Sequence, residues 1–274
     1  MMKRNCLSFS LIMLVSTPFL HADSENRLFY DAVRAEAKGD LDSAIESYEN
    51  SAKIAHSANL HGNLANLYFK KEMWGQSILH YRKALVLDPD NRDLSENLSF
   101  ARETAQLQSS SLDISSGYFR PSSVNIWSIA ASVFFWGGLL IVSTLFFFQF
   151  DRTFKVISFL VWLGLSGLGV WGTLKSKDNY NLQMREVIAI KTQEEKDSNG
   201  SKSLNLRRFA GNGSSANTSV VPGKSLFLDL NENGSPKDHR SPNGEKWYLV
   251  RSLDGRKRGW MKENELGRIL EPKI

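Results

Sequence analysis

The chain has 274 residues, a formal net charge of +5, 42% apolar and 23% charged residues, and one cysteine. The charge excess is too small, and the Lys and Arg residues too evenly mixed with acids, to make a nucleic-acid-binding surface. A single cysteine excludes an internal disulfide framework and a cysteine-built metal site, and the length suits about two small domains.

The N-terminus is laid out as a secretory signal. Lys3 and Arg4 give a positive start, Cys6 to Leu20 an apolar stretch, and His21-Ala22 leads into the polar Asp23-Ser24-Glu25-Asn26. Ala22 meets the need for a small residue before the cut, which places a signal peptide at 1–22; an uncleaved anchor is the alternative. Cys6 stands at the start of the apolar stretch and not after it, so it is not placed to accept a lipid.

From Asn26 to Gln108 apolar residues recur at three- and four-residue spacing, which predicts helices. Two segments resemble each other, Ala37 to Tyr48 and Lys71 to Tyr81. Aligning Ala44 with Ser77 and Tyr48 with Tyr81 gives a period of about 33 residues, close to the ~34 of one class of helical repeat. The second copy carries Leu64, Ala65 and Tyr68 on its first helix and Trp74, Tyr81, Ala84 and Pro89 on its second. On these residues it resembles the tetratricopeptide (TPR) repeat. The first copy keeps Gly39, Ala44 and Tyr48, with Ser51 and His56 at positions where alanine and proline are usual. Proline cannot continue a helix, so Leu87-Asp88-Pro89-Asp90 marks a stop, and a capping helix is expected over roughly 93–106. The resemblance implies an all-α TPR solenoid over 23–108, two repeats plus a cap, whose concave face binds peptide segments of other proteins. Asn63, Asn66, Phe69 and Lys70 are the residues expected to face that groove, with the asparagines holding a peptide backbone extended. The alternative is that they are solvated residues of a short array that only supports the domain. Residues 109–123, serine-rich with Gly117 and Pro121, read as a linker.

Two apolar runs follow, Val124–Phe148 without a charge and Phe154–Leu174 with Lys155 alone. Each meets the roughly 20 residues a bilayer core requires, and neither has the polar face of a soluble helix. They predict a transmembrane α-helical hairpin, with spans at 124–148 and 154–174. Small residues (Ala130, Ala131, Gly137, Gly138, Gly164, Gly167, Gly169, Gly172) allow close helix approach, and Trp127, Trp162 and Trp171 are expected partly at interface depth. Neither span holds an acid, histidine or arginine of the kind a proton or ion pathway uses. With a signal peptide in front, both flanking parts are expected on the outer side of a bacterial inner membrane.

After Lys175 the pattern changes to short strands. Val187–Ile190, Leu204–Arg208, Ser225–Leu230, Trp247–Arg251 and Arg258–Met261 are candidates, with a turn at Asp254-Gly255, and the segments between them read as polar loops. Such strands suggest a small all-β barrel at 184–274. Leu204-Asn205-Leu206-Arg207, Pro222 to Leu226 and the Trp247/Gly259-Trp260-Met261 strand pair resemble bacterial SH3-like domains, although Arg208-Phe209-Ala210-Gly211 replaces the usual serine–glycine–proline. On that likeness Trp247, Tyr248 and Trp260 could form a groove for a peptide or a cell-wall glycopeptide, the alternative being core positions.

No phosphate loop, zinc helix or nucleophile elbow is present, so no catalytic, cofactor-binding or metal-binding residue is named and an enzyme is not expected. His56, His61 and His80 fall on the repeat helices, where packed or solvated roles dominate, and His239 lies in a charged loop. The order of signal, TPR repeats, two-span hairpin and SH3-like barrel resembles the BatE-like family of the Bacteroides aerotolerance (Bat) operon. That resemblance implies a scaffold or adaptor whose partners are membrane proteins with von Willebrand A domains, and a role in oxidative-stress tolerance or envelope assembly. The competing expectation is a cell-wall-binding sensor that meets peptidoglycan through its SH3-like part.

Overall fold

A computed structural model describes residues 27–107, 118–190 and 203–270; the expected signal peptide and most of the expected linker lie outside them. The first part is helical: α1 (27–37), α2 (Leu41–Ala52), α3 (Ala58–Lys70), α4 (Trp74–Leu87) and α5 (Arg92–Thr104). Their starts are written locally. Asp40, Ser57 and Asn91 each accept a hydrogen bond from the backbone N–H three residues on, at 3.1, 3.1 and 3.2 Å, which satisfies a donor that the helix cannot. Tyr48, Leu60, Leu64, Leu67 and Ala44 are buried between the first two helix pairs, each large side chain contributing about 1.5–3 kcal/mol by leaving water.

Two long helices follow a 3-10 turn at Pro121–Ser123: α6 (Val124–Phe147) and α7 (Arg152–Arg185). Both are long and apolar enough to cross a membrane. They pack on each other through glycines. A Cβ on Gly169 would stand 2.6 Å from the Ala131 Cα, and one on Gly138 or Gly172 would enter the ring of Trp162 or Trp127. Trp162 therefore packs against the middle of α6, where its Nε1 donates to the Phe135 carbonyl at 3.1 Å. At the other end Phe119 stacks on Trp127 (5.2 Å) and meets Trp171 edge-on (4.9 Å). Asn179 Nδ2 donates to the Phe119 carbonyl at 2.7 Å, and Arg120 pairs with Asp90 at the end of the repeats.

The second helix does not stop where its apolar run ends. It continues to Arg185, and strand β1 (Glu186–Ala189) begins at the next residue. The strands β2 (Leu204–Arg207), β3 (Ala216–Val220), β4 (Ser225–Leu228), β5 (Asp238–Arg240), β6 (Lys246–Arg251), β7 (Arg258–Lys262) and β8 (Leu266–Arg268) complete one antiparallel sheet. Its order is β3-β2-β7-β6-β4-β1-β8, with β5 also paired to β6. The expected barrel is not closed by the described strands, because the path ends at β3 and β8. Val187, Leu206, Leu226, Tyr248, Val250 and Met261 form the sheet's core.

This sheet is docked on the repeats. Ile188 and Ile269 share a buried cluster with Ile78, Leu79, Tyr81 and Leu85 of α4 and Leu98 of α5. Close approach depends on glycine: a Cβ on Gly75 would meet the Ala189 carbonyl oxygen at 2.9 Å, and one on Gly267 would meet Leu79 at 2.4 Å. Across the same interface Arg82 bonds directly to Glu186, with side chains only 2% and 4% exposed.

Candidate functional site

The four residues expected at the repeat groove lie on one side of α3, within about a third of a turn. Asn63 is half-buried and donates its Nδ2 to the Tyr48 hydroxyl at 3.1 Å. Asn66 is exposed, and its Oδ1 accepts from the Tyr81 hydroxyl. Burial raises the pKa of both phenols, that of Tyr81 to about 12, so they stay protonated. The Asn63 carbonyl oxygen and the Asn66 NH2 have no partner among the described residues, one an acceptor and the other a donor. Phe69 is half-buried between Trp74 (5.1 Å, edge-on) and Phe100 (5.5 Å). Lys70 is exposed and reaches Glu36 of α1 at 2.8 Å, an exposed pair of small energetic weight.

The three aromatic residues expected to share a groove on the sheet do not come together. Trp247 and Tyr248 are adjacent in β6 and therefore point to opposite faces. Tyr248 belongs to the core. Trp247 is fully buried on the other face, beneath Arg207 and Lys262 at 5.7 and 5.6 Å from its ring. Those two cations are held in turn, Arg207 by the carbonyls of Asn212 and Ser214 and Lys262 by Glu245 at 2.9 Å. Trp260 alone of the three keeps a half-exposed ring, with His239 edge-on at 6.4 Å.

A cluster that sequence reasoning did not assemble lies at the α2–α4 end of the repeats. His56 Nδ1 is 3.3 Å from His61 Nε2, and His61 Nδ1 is 3.1 Å from His80 Nδ1. Tyr68 stacks on His80 at 5.4 Å and donates its hydroxyl to Glu49. The three histidines and Glu49, with Ala52, Lys53 and Lys83, line a cleft of about 500 Å³. Burial holds the His61 pKa down to about 4 and that of His80 well below the usual value, with Lys83 and the neighbouring imidazole adding to both. The His61 and His80 rings are therefore neutral at pH 7. The available signal was that His61 and His80 take inward positions on paired helices. Among the described residues no group of three or more His, Cys, Asp or Glu is arranged to hold a metal ion.

Residues 58–91, which span α3, α4 and the turn beyond, match the tetratricopeptide repeat family. No curated protein matches the chain. The matched repeat is a protein-interaction motif without catalytic chemistry of its own, and it indicates protein partners and a scaffold role.

Proposed function

We propose that the chain is a membrane-anchored scaffold that recruits a partner protein by holding an extended segment of it along α3. The observation that carries this reading is the pair Asn63 and Asn66, each amide bonded at one end to a buried tyrosine hydroxyl and left with a hydrogen-bonding group open at the other. An extended peptide presents alternating N–H and C=O groups and is complementary to such a pair. Phe69 supplies an apolar wall beside it and Lys70 a cation. The helices α6 and α7 serve as the anchor, and the signal-like N-terminus supports an outer-side location for repeats and sheet at a bacterial inner membrane. The order of elements supports partners among membrane proteins, with von Willebrand A domain proteins of a Bat-type complex as the leading class. It also supports a role in oxidative-stress tolerance or envelope assembly, with the sheet as a divergent SH3-like domain.

The test uses Asn66→Asp in the full chain. The carboxylate still accepts from Tyr81, so the fold is kept, while the free donor is replaced by an acceptor. Leaving a peptide carbonyl unpaired costs about 1–3 kcal/mol, so recovery of partner proteins from solubilised membranes is expected to fall about tenfold with the melting temperature unchanged. Undiminished recovery would remove α3 as the binding surface.

A second reading, a cell-wall sensor, has one observation in its favour: the half-exposed Trp260 beside His239. Retention of the full chain on purified sacculi, abolished by Trp260→Ala and unaffected by Asn66→Asp, would favour it over the scaffold.

A further inference from the structure

The turn between α6 and α7 holds a cleft of about 560 Å³ lined by Val142, Leu145, Phe146, Phe150, Val156 and Phe159, with Arg152 and Lys155 also in its wall. This is the size of a small-molecule site. Its walls differ from those of the rest of the hairpin because both cations of the apolar helices' inner end converge here. Lys155 is half-buried and its ammonium lies 5.7 Å from the centre of the Phe146 ring. Asp151 is adjacent in sequence, but neither Arg152 nor Lys155 forms an ion pair among the described residues. The first turn of α7 carries no acid. A half-buried ammonium over a phenylalanine ring, with no ion pair among the described residues, is costly unless an anion meets it.

We propose that this cleft binds an anionic phospholipid. Its phosphate lies between Arg152 and Lys155, and one acyl chain lies against Val142, Phe146, Val156 and Phe159. The inference rests on the reading of α6 and α7 as a membrane hairpin. It adds to that reading a ligand class and a site at the end of the hairpin away from the repeats. Charge and shape select the occupant together. A soluble anion would leave the apolar walls wet, and a zwitterionic lipid would bring its own cation against the pair. The site supplies a fixed depth for the turn, since the phosphate of an anionic lipid sits at the headgroup level and the two cations must sit with it.

The experiment is native mass spectrometry of the full chain in detergent, titrated in parallel with dioleoylphosphatidylglycerol and dioleoylphosphatidylcholine. The expected result is a retained phosphatidylglycerol adduct that phosphatidylcholine does not form at the same concentration. In the Arg152→Gln/Lys155→Gln variant its apparent affinity is expected to drop roughly thirtyfold, about fivefold for each cation. Lys175→Gln/Lys177→Gln, which removes two exposed cations from the opposite end of the hairpin, should keep the adduct. Equal adducts with the two lipids, or equal losses in the two variants, would overturn the site. Carbonate extraction of cell membranes separates the two claims. A chain that resists extraction but shows no lipid preference refutes the lipid site alone, whereas a chain released by carbonate refutes the hairpin reading and the site with it.

Discussion

His61 and His80 carry the clearest residue-scale consequence. Their folded-state environment favours the neutral ring: burial is the main cause, and Lys83 together with the neighbouring imidazole adds to it. Lys53 and Glu49 face the same cleft, and Glu49 is engaged by Tyr68. In the unfolded chain each histidine takes up its proton near pH 6.5. Between that value and about pH 4, where His61 titrates in the fold, the unfolded state binds more protons, so stability rises with pH. The contribution is fully present above about pH 6.5 and is lost as the pH falls toward 4. Thermal melts of the full chain in detergent should show a falling midpoint over that window, and His61→Gln should flatten the fall. A midpoint independent of pH from 7 to 4.5 would contradict this account. The histidines are identifiable in sequence one by one. Their assembly is not, because it depends on how α3 and α4 are rotated against each other. The groove residues were legible as α3 positions, but the bonds between their amides and the tyrosine hydroxyls join side chains fifteen residues apart in sequence.

Among the elements, α4 and β1 hold the repeats and the sheet together. Arg82 and Glu186 are both nearly inaccessible, so removing one partner strands a buried charge at a cost of about 3–5 kcal/mol, whereas replacing both with apolar residues can be close to neutral. Arg82→Met is expected to destabilise the chain by that amount and Arg82→Met/Glu186→Leu to recover most of it, as measured by denaturant unfolding. Equal losses in the single and double variants would mean that the pair is not the contact described. Gly75 gives a second test of the junction. A side chain there meets backbone, the Ala189 carbonyl, and backbone cannot turn aside. Gly75→Val is expected to cost about 1–3 kcal/mol and to speed hydrogen exchange at Ile188 and Ala189; unchanged exchange would argue against the docking. Strands with an apolar side (β1, β2, β4, β6, β7) were readable from alternation or apolar runs, and the helices from their three-to-four spacing. Strands β3 and β5 read as polar loops because Ala216–Val220 is mostly exposed and Asp238–Arg240 wholly so. They are strands through their backbone pairing to β2 and β6, which leaves no side-chain pattern. The docking was illegible for a related reason. Arg82 sits on the apolar stripe of α4 with Ile78 and Leu85, and the charge that satisfies it lies beyond the hairpin, in β1.

For the whole molecule, the continuity of α7 into β1, the Arg185 bond to the Leu228 carbonyl at 3.0 Å and the Arg82–Glu186 pair make repeats, sheet and hairpin one connected body. Spin labels at positions 53 and 239 in the full chain are therefore expected to give a single narrow distance distribution; a broad one would show that sheet and repeats move independently. On the proposed reading of a membrane-anchored scaffold, the binding helix is presented in a fixed attitude to the membrane, and a partner is met at a set height and angle. The central claim is that the partner is met at α3. Its most direct test is a photo-crosslinking amino acid placed at Lys70, and separately at His239, in the full chain within native membranes. The account predicts a discrete protein adduct from position 70 that Asn66→Asp abolishes, and none from position 239. Adducts from position 239 alone, or an adduct at 70 indifferent to Asn66→Asp, would contradict it.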